Sequence, residues 1–224
     1  MTRRLSILLA LAAWLAPFVL HAQTAADSGV FIIRHANDTV ATERFARTET
    51  GIEGTLAVRS TAATSQDYSV VLAPDGSVVK MELTTRADAD SGRVKGKVVS
   101  RARVIFKEDS AAVDEASDRG LRTYLFGTRR GAIPYLNLSF ALLEQAVRQA
   151  RASGPASQVA LFNLGGAHSG GGQTIRVNVA KLGSDSVTMD IGTVEFHLRV
   201  DSDGRLLGGR IPAQNVVVDR AGGS

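Results

Sequence analysis

The residues with the most chemical reach are few. Arg34 and His35 close an apolar run at 30–33 (Val30, Phe31, Ile32, Ile33). A histidine at the end of a buried strand is held firmly yet meets solvent, which is what a nucleophile or proton carrier needs. His168 lies in the glycine-rich stretch 165–172, after a second apolar run at 159–162. Bare N–H groups in such a stretch can approach an anion. Glu195, His197 and Arg199 alternate along one segment and so share a face. On a closed cavity they would form an acid–base trio, and on a solvated sheet they are a charged surface. Asp201 to Gly204 and Asp88 to Gly92 have the opening spacing of calcium loops, but Pro212 stands where the closing glutamate of the first would fall. Both read as turns. Ser139 and Ser169 lack nucleophile-elbow glycines. No metal site and no cofactor are expected.

An apolar strand ending in Arg34-His35 resembles the start of the histidine phosphatase family, whose motif is Arg-His-Gly. The resemblance implies His35 as nucleophile, with Arg34 and His168 as phosphate ligands. Ala36 stands in place of the motif glycine, and 39–50 alternates like a strand where that family has a helix. A phosphohydrolase is therefore the alternative reading rather than the leading one.

The elements that must position these residues are mostly strands. A short apolar run marks 30–33, and strand patterning marks 39–48, 54–58, 68–72, 78–83 and 94–106. Pro74-Asp75-Gly76 sets a tight turn, because proline fixes φ and glycine accepts positive φ. Residues 29–106 read as an antiparallel meander, with a short helix at 111–116. A longer amphipathic helix is expected at about 134–152. Pro134 suits its first turn, and Leu136, Phe140, Leu143 and Val147 follow at helical spacing. Glu144 and Arg148 are one turn apart, and Ser153-Gly154-Pro155 stops the helix. Alternation resumes at 159–162, 175–179, 187–191, 194–200 and 216–218, with Asp203-Gly204 as a hairpin signal.

The amino terminus reads as an export signal over residues 1–22. Arg3 and Arg4 precede an apolar stretch that ends in Leu20-His21-Ala22, a small-residue cleavage site. The stretch is shorter than the roughly 20 apolar residues of a membrane span. A mobile lead-in at 23–28 and a single domain at 29–220 follow. Export implies a periplasmic or secreted chain with no membrane anchor after cleavage. Losing Arg3 and Arg4 brings 26 basic residues close to the 22 acidic ones, so no concentrated basic field speaks for nucleic acid. The absence of cysteine excludes disulfides, a lipid-modified cysteine and thiolate chemistry.

The expected fold is mainly β: a large curved antiparallel sheet, or half-barrel, packed against one long amphipathic helix. Architecture, export and length together resemble the LolA/LolB-like carriers of the bacterial envelope, in which a half-open barrel holds acyl chains under a helical lid. The resemblance implies a non-enzymatic binding module for a lipid or other apolar small molecule, with another envelope protein as a second class of partner. Leu136, Phe140, Leu143 and Val147 would line the helical side of the cavity, or else fill a core.

Overall fold

The computed structural model describes residues 27–59, 63–87, 96–154, 156–164 and 172–222. The export signal at 1–22, the turn cluster at 88–92 and His168 lie outside the described residues. The first eight strands follow one another directly: β1 (Asp27–His35), β2 (Asp38–Arg47), β3 (Gly51–Val58), β4 (Thr64–Leu72), β5 (Val78–Ala87), β6 (Lys97–Phe106), β7 (Ser110–Ser117) and β8 (Gly120–Gly127). A short strand β9 (Ile133–Tyr135) then leads to the helix α1 (Phe140–Ser153). The remaining strands are β10 (Ala156–Asn163), β11 (Gln173–Lys181), β12 (Ser186–Ile191), β13 (Val194–Val200), β14 (Leu206–Ile211) and β15 (Val216–Ala221).

These strands form one sheet, running from β8 back through β1, across to β15, and on down to β9. Every neighbouring pair is antiparallel except β9 and β10, which flank α1 and run parallel. The mostly β reading therefore holds: among the described residues, one curved, unclosed sheet wraps a single α-helix. The alternation on β2 shows how the sequence produces the curve's inside. Ala41, Glu43, Phe45 and Arg47 are buried, while Arg44 and Ala46 between them are exposed. The two ends of the sheet approach each other. Thr174 Oγ1 on β11 lies 3.3 Å from the Gly127 carbonyl and 2.8 Å from Thr128 Oγ1, and Phe126 packs on Phe162 at 5.9 Å between centroids.

Two expected helical features change. The helix begins at Phe140, not near 134, because residues 133–135 pair with Leu161–Asn163 as a parallel strand and Leu138 has positive φ (67°). Proline is tolerated there because β9 is an edge strand. Residues 111–116 belong to β7, not to a helix. Ala111, Val113 and Glu115 point inward in register with Phe106, Val104 and Ala102 of β6. Asp27 and Ser28, expected in the mobile lead-in at 23–28, instead belong to β1 and pair with Arg47 and Ala46.

Nine of the fourteen residues of α1 are buried, so the helix sits inside the bowl rather than on its surface. Phe31, Ile33, Leu56, Met81, Val104, Phe162 and Met189 surround it in one continuous core. Gly154 closes the helix in a backbone conformation that favours glycine (φ 129°).

Candidate functional site

Two buried carboxylates fix the helix to the sheet. Glu43 of β2 is fully buried and accepts four hydrogen bonds. Tyr68 Oη donates at 2.6 Å and Ser139 Oγ at 2.5 Å to one oxygen, while the Phe140 and Ala141 amides donate at 2.7 and 2.9 Å to the other. Ser139 stands at the N-cap position, but its hydroxyl serves Glu43, and Glu43 caps the helix from another strand. Burial raises the Glu43 pKa, with the bonds from Ser139, Tyr68, Ala141 and Phe140 opposing it. Burial also carries the Tyr68 phenol well above its usual range, reinforced by the carboxylate beside it. Tyr68 reaches Glu43 by lying over Gly54, where a Cβ would come within 2.8 Å of Tyr68 Cε1 and closer still to its oxygen.

The second carboxylate, Glu144, points from the helix to the sheet. It accepts from the Leu206 amide at 2.9 Å and pairs with Arg220 at 2.9 Å, Arg148 at 3.1 Å and Arg47 at 3.3 Å. Asp27 takes the other ends of Arg220 and Arg148, at 2.6 and 3.2 Å, and pairs with Arg205 at 3.4 Å. Arg47 also bonds Gln145 and donates to the Ala141 carbonyl at 2.9 Å. Burial pulls the Arg47 pKa down, and Glu144 resists that shift. The Arg220 guanidinium covers the Phe45 and Phe31 rings at 5.0 and 5.7 Å. The carboxylates and Arg47 and Arg220 are nearly or wholly buried, so this network holds the helix and offers no open reacting position.

Of the residues singled out for chemistry in the sequence, the described ones form no closed site, although Arg34 and Arg199 share Asp219, the latter at 3.8 Å. Arg34 is held by Asp219 at 2.6 Å. His35 is exposed at the β1–β2 turn, where Ala36 takes positive φ (53°) in the place of the motif glycine. Glu195, His197 and Arg199 lie on the convex face, and His197 Nε2 lies 3.2 Å from Glu195 Oε1. His197, Arg199, Arg210, Val217 and Leu182 border a depression on that face, about 520 Å³ in volume. Another depression on that face, about 510 Å³, is lined by Arg44, Glu53, Asp67 and Glu82 among others. The proposed apolar lining is filled core. Leu136, Phe140, Leu143 and Val147 are at most 5% exposed, and the crevice touching Phe140 and Leu143 is only about 60 Å³.

Concave surface is left open elsewhere, on β4 to β8. Three inward rows follow from the strand register. The deepest joins Val70, Met81, Val104, Val113 and Tyr124, and its first four members are sealed. The next joins Tyr68, Leu83, Ala102, Glu115 and Arg122, where Leu83 and Ala102 are half-buried. The rim row joins Gln66, Thr85, Ser100 and Ser117, all half-buried and all polar. Polarity thus rises from floor to rim. Gln66, Thr85, Ser100, Ser117, Arg122 and Tyr124 border a cleft of about 370 Å³ there. Nothing in the sequence pattern marked this cleft, because its polar rim residues keep the ordinary alternation of a strand.

No protein-family model matches the chain, and a search of curated proteins finds no match. Among solved structures, the fold is similar to that of a DUF1089 family protein from Pseudomonas aeruginosa. The TM-score is 0.56 at 12% identity, over 80% of this chain and 92% of that one. The likeness is one of fold.

Proposed function

We propose that this chain is an exported, non-enzymatic binding module for an amphiphile, in the manner of the LolA/LolB-like carriers. The observation that supports it is the graded concave face of β4 to β8, with half-buried Leu83 and Ala102 beneath a rim of Gln66, Thr85, Ser100 and Ser117, beside a cleft that Tyr124, Val99 and the charged Glu115, Asp118, Arg119 and Arg122 also line. Such a face matches a ligand with an apolar tail and a hydrogen-bonding head. Its roughly 370 Å³ falls at the lower end of the range of about 300–1,000 Å³ for small-molecule sites. The site suits one chain end with its head group. The helix lines no part of this cleft, and its apolar residues hold the bowl's shape.

Titration of the purified chain, freed of its leader, with a fluorescent long-chain acyl probe tests the reading. Binding is expected, and Ser100→Trp, which fills the cleft, should weaken it at least tenfold. Val217→Trp on the convex face should leave it unchanged. Equal binding by the wild type and Ser100→Trp, or no binding of acyl probes at all, would overturn the proposal.

A further inference from the structure

The two ends of the sheet are treated very differently. At one end β9 is three residues long, carries Pro134 at its centre and is largely buried, which are ordinary ways of blunting an edge. At the other end β8 runs for eight residues without proline or bulge. Its outward residues Leu121 and Leu125 are 74% and 70% exposed, with Thr123 between them. Among the described residues no strand pairs with its far side; Thr174 of β11 hydrogen-bonds to Gly127 and the residue beyond, Thr128, and the Phe126 ring packs on Phe162. A long, bulge-free edge with exposed leucines is an open template for another strand.

We infer that β8 is a self-association edge, on which a second copy of this chain adds its own β8 antiparallel across a two-fold axis at Thr123. The occupant follows from the segment's symmetry. That register places Leu121 opposite the partner's Leu125 on the convex side, and Leu125 opposite the partner's Leu121. On the concave side Arg122 falls opposite the partner's Tyr124, a cation beside an aromatic face, and like charges do not meet. The pairing takes up residues 120–126 and leaves Gly127 and Thr128 to β11. It would join two fifteen-stranded sheets into one surface, with Arg122 and Tyr124, which also border the cleft, at the seam.

The chain lacks cysteine, so a single introduced thiol can react only with its counterpart. Thr123→Cys should form a covalent dimer on mild oxidation, much faster than Arg101→Cys on the exposed face of β6. Mixed Leu121→Cys and Leu125→Cys chains should cross-link faster than either alone. Sedimentation should show a concentration-dependent dimer that Leu121→Lys with Leu125→Lys converts to monomer, with the melting of the monomer's circular dichroism retained. A wild-type monomer throughout, or Thr123→Cys no faster than Arg101→Cys, would overturn the inference. So would a dimer that survives the double lysine variant.

Discussion

Replacing Glu43 separates hydrogen-bond acceptance from charge at a buried helix start. In Glu43→Gln the amide oxygen can face the Phe140 and Ala141 N–H groups, which only donate. The amide nitrogen then faces Tyr68 and Ser139, whose hydroxyls can turn to accept. Both amides keep an acceptor and the cost of burying a charge disappears, but a hydroxyl proton of Tyr68 or Ser139 loses its acceptor, so the change should cost no more than about 1–3 kcal/mol. Glu43→Ala leaves both amides without an acceptor. At about 1–3 kcal/mol for each orphaned buried group, the loss should be about 2–6 kcal/mol. Urea unfolding followed by far-ultraviolet circular dichroism measures both. The pH dependence has a definite sign. Burial raises the folded-state pKa of Glu43 above its ordinary 4.5, so its contribution is fully present below that value and is lost as pH rises through the folded pKa. The wild type should therefore lose stability relative to Glu43→Gln over that window. Equal costs for Gln and Ala would show that the charge, not acceptance, holds the helix. An alanine cost below about 1 kcal/mol would refute the capping role.

Other substitutions probe the same framework. Gly54→Val should cost about 1–3 kcal/mol in the same urea assay, because its side chain displaces Tyr68 from Glu43. Glu144→Ala leaves Arg47 and Arg220 buried without their shared partner and should cost about 3–5 kcal/mol, lowering the melting temperature by several degrees. Ala36→Gly should stabilise by up to about 1 kcal/mol, since Ala36 is exposed and holds positive φ at the first position of a two-residue hairpin turn. That change also completes the Arg-His-Gly triplet, and a gain of phosphatase activity would contradict the non-enzymatic reading.

The strands were legible because alternation is local. Ile175, Val177 and Val179, or Phe196, Leu198 and Val200, name their own inward faces. The register of Asp203-Gly204 and Pro74-Asp75-Gly76 followed from turn chemistry. The helix start was misplaced because Pro134 suits a first helical turn and an edge strand equally well, and only its pairing with Phe162 decides between them. Residues 111–116 read as helix because alanine favours helices, yet their inward positions serve a strand. Beyond the Glu144–Arg148 pair one turn apart, the charged network was not legible. Glu43 and Arg47 occupy inward positions on either side of Phe45, where polarity contradicts the pattern. Their partners Ser139, Glu144 and Gln145 lie nearly a hundred residues away. A charged residue at an inward parity was the one available sign.

The carrier reading is tested most directly by native mass spectrometry of the mature chain, purified without detergent from an exporting host. The account predicts a discrete added mass, of an acyl-bearing compound, that is lost on denaturation and absent from Ser100→Trp. A clean mass for the chain alone, or an adduct that Ser100→Trp retains, would contradict it.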